Sequence, residues 1–394
     1  MSRNKIVLLF LTLFILALVF VVSDMAAGEK ESGKGEGVLE QNQVEFEEKY
    51  EKARVLEVKD LEEGEQDQDQ VFKEQILTVE MLTGEYKGQI LETRNVLSGS
   101  AGWDIIVNPG DEVIVYVNGQ NGKVNEVYIS DMLRTPYLNF LLLTFIIALI
   151  VVGGIRGVKS LVALGLTILA IYKVLLPALM KGYPPVVVTV LILTGVTLLT
   201  MFLIGGVARK SIAASLGTIG GVVIAGAIAL LVGDLAHLTG FATEESRMLL
   251  YVENFKIDMQ GLLFSGIIIG ALGAVMDVAM SIASAVEEVK KANPALNIWQ
   301  LTKAGMNVGR DIMGTMANTL ILAYTGGALP LLILYMAYNT PGIRIFNSEL
   351  IATEVVRALS GSIGLVFAIP VTAVISGILA AKETKSVYSQ HGSV

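Results

Sequence analysis

MQGLLFSGIIIGALGAVMDVAMSIAS, residues 259–284, carries a single charge, Asp277. A bilayer helix needs roughly 20 predominantly apolar residues, and this stretch exceeds that. Its small and polar residues are not scattered. Gly266, Gly270, Gly273, Asp277, Ser281, Ser284 and, further on, Glu288 recur every three or four residues. On a helix they form one stripe. Small residues let a second helix approach closely, which assigns Gly266, Gly270 and Gly273 to packing. A carboxylate near mid-span is costly unless it is neutralised, paired or wetted, and it marks a functional position.

Working outward, six more hydrophobic spans lie near residues 137–153, 161–179, 185–206, 212–235, 312–337 and 359–381. Together with 259–284 they predict a seven-helix transmembrane domain over 137–381. The span 312–337 and its lead-in repeat the polar pattern. Asn307, Asp311, Gly314, Asn318 and Thr325 share one face, with Arg310, Thr315 and Thr319 beside it. The last span adds Gly361, Gly364, Ala368, Thr372 and Ser376, and 212–235 adds Ser215, Thr218, Gly221 and Ala225. Gly314, Gly361 and Gly364 read as packing positions. Asp277, Ser281, Asn307, Arg310, Asp311 and Asn318 are the candidates for an ion-coupling or substrate pathway. Asp234 reads as an interface residue. Pro330 and Pro370 are expected to break their helices, which is tolerated only beside protein or a water-filled cavity.

Upstream, IVLLFLTLFILALVFVV at 6–22 follows Arg3 and Lys5. It reads as a signal anchor helix over 1–23, or as a signal peptide cleaved near Val21-Val22-Ser23. Counting it gives about eight transmembrane helices. Residues 24–49 read as a flexible linker and 60–70 as a solvated loop. Five short runs follow the linker: 53–58, 75–82, 88–97, 111–118 and 124–130. They alternate in the manner of strands, with turns expected at Asn108-Pro109-Gly110-Asp111 and Asn118-Gly119. They predict a small β-barrel, OB-like, within a domain at 50–136. The fold class is therefore an α-helical integral membrane bundle with a small extracytoplasmic β-barrel-like domain.

Charge orients the chain. Residues 24–135 hold 25 acidic and 11 basic residues, within totals of 37 and 29. Arg3/Lys5, Arg156/Lys159, Arg209/Lys210, Lys290/Lys291/Lys303 and Lys382/Lys385 alternate along the spans with the acidic domain and the mixed loops 236–258 and 338–358. The positive-inside rule then predicts a plasma-membrane protein with both termini cytoplasmic, including a tail at 382–394, and with 24–136 outside. Residues 244–256 and 348–358, in the two outer loops, are amphipathic and read as surface helices packing on their neighbours, or as segments that lie in the interface or cap the bundle. An acidic outer surface argues against nucleic acid.

The chain has no cysteine and only two histidines, His237 and His391. Thiolate chemistry is excluded and a metal site is not expected. Phosphate-loop, HExxH and GxSxG signatures are absent from the sequence, so no enzyme and no cofactor is expected beyond a coupling proton or monovalent cation. The expected partners are the lipid bilayer, a substrate or protein at the outer domain, and a second copy in a homo-oligomer.

The strings GALGAVMDVAMSIASAVEE (270–288), GRDIMGTMANTLILAYTGG (309–327), SGSIGLVFAIP (360–370) and RKSIAASLGTIGG (209–221) resemble the YibE/F-like family, as do GEYKGQ (84–89) and NPGDEV (108–113) in the outer domain. The resemblance spans roughly residues 50–381. It implies a bacterial multi-pass membrane protein and brings no established biochemical activity. Locally, 270–327 also resembles the membrane helices of the SecD/SecF and RND group. That likeness implies Asp277 as a protonatable residue and Arg310 as its partner. The chain departs from that group in the three helices at 137–206 and in its outer domain. Two functions follow as expectations: an ion-coupled transporter or translocation accessory, or a non-transporting scaffold or sensor whose outer domain binds a partner.

Overall fold

A computed structural model describes residues 47–60, 73–100, 102–120, 123–252 and 256–391. The expected anchor at 1–23, most of the linker and most of the 60–70 loop lie outside the described residues. The chain divides into two compact units at Ala148/Leu149.

In the first unit, β1 (Glu47–Asp60), β2 (Lys73–Met81), β3 (Ile90–Leu97), β4 (Glu112–Gln120) and β5 (Lys123–Met132) form one antiparallel sheet ordered β3-β2-β1-β4-β5. Alternation builds its core. Ala53, Val55, Leu77, Val79, Met81, Val113, Val115 and Val117 are buried while their neighbours face out. The sheet nearly closes on itself, because the buried Thr93 hydroxyl of β3 donates to the Val127 carbonyl of β5. The sheet is barrel-like, as expected. Two boundaries differ from the sequence reading. β1 starts at Glu47, inside the stretch read as linker. Asn118-Gly119 is not a turn but part of β4, which runs on to Gln120 and pairs with β5 across a register shift. The Asn108–Asp111 turn does form: the Asp111 N–H donates to the Asn108 carbonyl at 3.1 Å, and Gly110 adopts φ 96°. On the outer face Tyr50, Tyr116 and Tyr128 stand directly opposite one another across β1, β4 and β5. The first two rings meet edge-on at 5.6 Å. At the end of β5, Arg134 donates to Asp131 at 2.7 Å, and that hydrogen bond holds the Asp131 carboxyl below its usual range.

The second unit is helical. α1 (Thr135–Ala170) runs through a π-turn (Ile171–Leu175) into α2 (Leu176–Met180). After it come α3 (Pro185–Gly205), α4 (Arg209–Leu235), the short α5 (Glu244–Met248), α6 (Met259–Ala292), α7 (Ile298–Gly327), α8 (Leu329–Ala337), the short α9 (Gly342–Phe346) and α10 (Glu349–His391). Among the described residues five helices are long and apolar enough to cross a membrane, or six if the bent pair α7/α8 is one span. This is a membrane protein's hydropathy; the expected eight includes the anchor at 1–23, outside the described residues, and counts two spans within Thr135–Met180, which is one helical run in this number.

The helices differ from the sequence reading in three places, while Pro330 behaves as expected. The spans expected at 137–153 and 161–179 belong to one helical run broken at Gly154 (φ 54°, ψ −135°), a conformation only glycine adopts easily. There the chain folds sharply. A Cβ on Gly157 would strike the Leu149 carbonyl, whereas residues eight apart on a straight helix are separated by about 12 Å. Pro330 does break its span: it sits in the first turn of α8, which bends 56° from α7. Pro370 does not, and α10 continues through it. The amphipathic 348–358 stretch is helical, as its pattern suggests, but it is continuous with the last span and forms the opening turns of α10, and 382–391 continue the same helix.

α10 is the centre of the bundle. On one side it crosses α4 through a seam of small residues. A Cβ on Gly221 would lie 2.6 Å from Ala368 Cβ and 2.8 Å from the Gly364 carbonyl, and one on Gly364 would lie 2.6 Å from Ala225 Cβ. Both are closer than real Cβ contacts allow. On the other side α10 packs on α7, where a Cβ on Gly305 would meet Ala373 at 3.1 Å and one on Gly309 would overlap Ile369. α6 presses Ile268, Val275 and Ile282 into the same core, and Phe264 into a second cluster against Ala229 and Val356.

Candidate functional site

The site is built on α6 and α7. Asp258 starts α6, its carboxylate accepting from the Gly261 N–H at 2.9 Å. Asn297 and Gln300 form a reciprocal capping box at the start of α7, with bonds of 2.9 and 3.0 Å. Between the two helices, Lys290 reaches back and donates to the carbonyls of Pro294 (2.6 Å) and Leu296 (3.0 Å), which fixes the turn.

The helices run antiparallel in a register set by glycine. A Cβ on Gly305 would lie 2.9 Å from Val286 and one on Gly309 would lie 3.1 Å from Ile282. Nearer the other end, one on Gly270 would lie 2.5 Å from the Tyr324 hydroxyl. Carried along both helices, this register puts Gly314 level with Asp277, Arg310 with Ser281, Asn318 with Gly273 and Asn307 with Ser284. The two polar stripes therefore run side by side at matching heights.

Neither stripe is buried by the described residues of this chain. Gly266, Gly270, Gly273, Asp277 and Ser281 are exposed on α6, as are Asn307, Arg310, Asp311, Gly314 and Asn318 on α7. A Cβ on Gly266, Gly273 or Gly314 would have nothing within 4 Å. Among the described residues, these three expected packing positions meet no other helix. The face α6 turns inward carries its larger apolar residues, and the glycine stripe lies to the side of it. Gly270 meets only the Tyr324 hydroxyl. Gly361 and Gly364 do pack, against Ala271 (3.5 Å) and Ala225 (2.6 Å). Asp277, Arg310 and Asp311 make no ion pair with any described residue, so the pairing of Asp277 with Arg310 that the SecD/SecF likeness implied does not form inside the chain. Among the described residues no group of acids and histidines could hold a metal ion.

Two charged clusters escaped sequence reasoning. At one end of the bundle Lys210 of α4 meets Glu287 of α6 at 2.9 Å, and Lys291 bridges Glu287 (3.1 Å) and Glu288 (2.8 Å). On α10, Arg357 pairs with Glu354 at 2.9 Å, one turn from Gly361. The spacing of three was visible in the sequence, but the stretch reads as part of an outer loop until the helix is seen to be continuous. The Glu349 carboxylate ties the opposite end, accepting from the Thr239 N–H and hydroxyl at 2.7 Å each.

Residues 45–132 match the YibE/F family N-terminal domain, and residues 141–382 match the YibE/F-like protein family. The chain belongs to the YibE/F family. The division between its two matched parts falls close to the structural division at Ala148/Leu149. The α6 and α7 stripes, the α4–α10 seam and Pro370 all lie in the part that matches the YibE/F-like protein family, and the tyrosine row lies in the YibE/F N-terminal domain. No curated protein and no solved structure matches the chain.

Proposed function

We propose that this YibE/F protein is an ion-coupled transporter or translocation accessory of the bacterial cell membrane, with Asp277 taking up a proton or a monovalent cation. One observation carries the reading: Asp277 is exposed and unpaired on a helix apolar enough to cross a membrane. A carboxylate at such a position costs about 3 kcal/mol on insertion scales. Packing glue would be a poor reason for that cost, because the stripe around Asp277 touches almost nothing among the described residues. Ser281, Arg310 and Asn318, at neighbouring heights, supply a polar track beside it. Proteoliposomes loaded with a pH-sensitive dye, or given radiolabelled sodium, test the reading under an imposed gradient. Asp277→Asn is expected to abolish ion uptake with normal folding, and Arg310→Ala and Asn318→Ala are expected to reduce it less. Full uptake by a well-folded Asp277→Asn protein sinks the ion-coupling reading.

The orientation belongs to the same proposal: residues 24–136 outside, both termini inside, seven spans after the outer domain. The sorting of charge supports it. Arg209, Lys210, Lys290 and Lys291 gather at one end of the bundle, where Arg209 also donates to the Leu379 carbonyl. The other end carries Glu349, Asp258 and Glu244. The sharp fold at Gly154 supports two spans within Thr135–Met180, as an odd count requires. Reporter fusions after Lys210 and after Lys256 are expected to mark opposite compartments. The same compartment from both would reject the topology.

A second reading, a scaffold or sensor that does not transport, is favoured by the outer domain. Tyr50 is 67% exposed and Tyr128 49%. An aromatic row on a small barrel suits a partner that stacks on it. In that case Asp277→Asn leaves the activity intact.

A further inference from the structure

The exposed face of α6 and α7 poses a problem that is independent of transport. Against hydrocarbon its charges would stand unpaired, at a cost of a few kcal/mol each. Something other than lipid must lie on it. We propose that a second copy of this chain covers it, so that two α6–α7 faces pack on each other about a two-fold axis along the membrane normal, and the partner subunit's Arg310 completes the site at Asp277.

Three observations select this occupant. First, the face is self-complementary in charge. It carries Asp277 and Asp311 with Arg310 beside them, none of them ion-paired to a described residue of its own chain. Second, rotation about the normal keeps every residue at its own height. Arg310 is level with Ser281, one helical turn from Asp277, a rise of about 6 Å that a long arginine side chain spans. Because the contact is isologous, the pair forms twice. Third, the approach is open. Gly266 and Gly273 on α6 and Gly314 on α7 have empty space where a side chain would be, and glycines at this spacing let two membrane helices come close. α1 does not suit the face. Its charged residues, Arg156 and Lys159, sit just past the break at Gly154, and its apolar run 137–153 carries nothing charged to meet a carboxylate.

The absence of native cysteine makes the test direct. Full-length chains carrying Gly273→Cys on α6, or Thr325→Cys on α7, are oxidised in native membranes and run without reductant. Both are expected to give dimers. Leu191→Cys, 67% exposed on α3, is expected to give at least about tenfold less, a difference of about 1.4 kcal/mol in association. Charge reversal probes the pair itself. Asp277→Arg and Arg310→Asp are each expected to lower the cross-linked fraction, and the double reversal to restore it. Equal cross-linking at Leu191→Cys, or none at either reporter with single-step photobleaching of a fluorescent fusion, would overturn the proposal. So would a Gly273→Cys, Phe145→Cys chain that cross-links within itself and runs as a monomer, which would assign the face to α1. Capture of a different protein at Gly273→Cys in place of a second copy counts against it equally. The readout is oligomeric state, so loss of ion uptake in Asp277→Asn neither supports nor damages it.

Discussion

The α4–α10 seam and the α6–α7 outer face are written in the same letters. Both are small residues spaced by three and four on long apolar helices. In the seam every such residue is spent on close approach: Gly221, Ala225, Gly364 and Ala368 interlock so tightly that a single added methyl overlaps a neighbour. On the outer face Gly266, Gly273 and Gly314 meet nothing. The difference lies in the company each stripe keeps. The seam's polar members are hydroxyls, Ser215, Thr218, Thr372 and Ser376, and all are buried. The outer face carries Asp277, Arg310 and Asp311. A hydroxyl costs less to fold into a helix contact than an ionisable group does, and an unpaired charge is the most expensive group to bury. Spacing alone says that a helix can approach closely, and the charge on the stripe decides whether a helix of the same chain does so.

The largest test of this contrast places one bulky residue on each side of it. Gly221→Leu drives a side chain into Ala368 and the Gly364 backbone. Overpacking a filled core costs about 1–3 kcal/mol, and a clash with backbone belongs at the upper end. The expected result is a protein that expresses poorly or melts far below the parent in detergent. Gly273→Leu, in open space, is expected to change the melting of the isolated chain by less than about 1 kcal/mol, partly because leaving glycine favours the helix. Equal losses at the two positions would mean that the outer face is packed after all.

Much of this fold was legible because burial has a period. The five strands declared themselves by alternation, and Val113, Val115 and Val117 alternate in the structure as they do in the sequence. The apolar stretches declared the helices. What stayed hidden depended on partners. The break between the first two spans was expected, but nothing local revealed that it is a fold at Gly154 and not a loop. Glu354 and Arg357 look like charges of an outer loop until α10 is seen to run unbroken from Glu349. Asn118-Gly119 carries a turn signal, yet pairing with β5 overrides it. The site was half legible. Asp277 and the two stripes could be read from spacing, and so could their common height once the α6–α7 turn was recognised. That the α6 stripe faces away from the bundle could not, because α6 has two candidate inner faces. The larger apolar one won, since it removes more surface from water or lipid.

The smallest expected effect sharpens the comparison from within the seam. Thr372 is fully buried on α10, its hydroxyl pressed against the Gly217 backbone and without a hydrogen-bond partner among the described residues. If the seam needs size and shape, the hydroxyl itself contributes little. Thr372→Val keeps the branched shape and removes a buried polar atom that has nothing to bond. Replacing such a group by an apolar one of the same shape is nearly neutral or slightly stabilising, so the melting of Thr372→Val should stay within about 0.5 kcal/mol of the parent. Thr372→Leu at the same position, too large for the space beside Gly217, should lose about 1–3 kcal/mol. A loss above about 1 kcal/mol for Thr372→Val would show that the hydroxyl bonds to water or to a ligand inside the seam. The seam would then be a polar pathway in its own right, and the line drawn here between a packed stripe and a working one would fail.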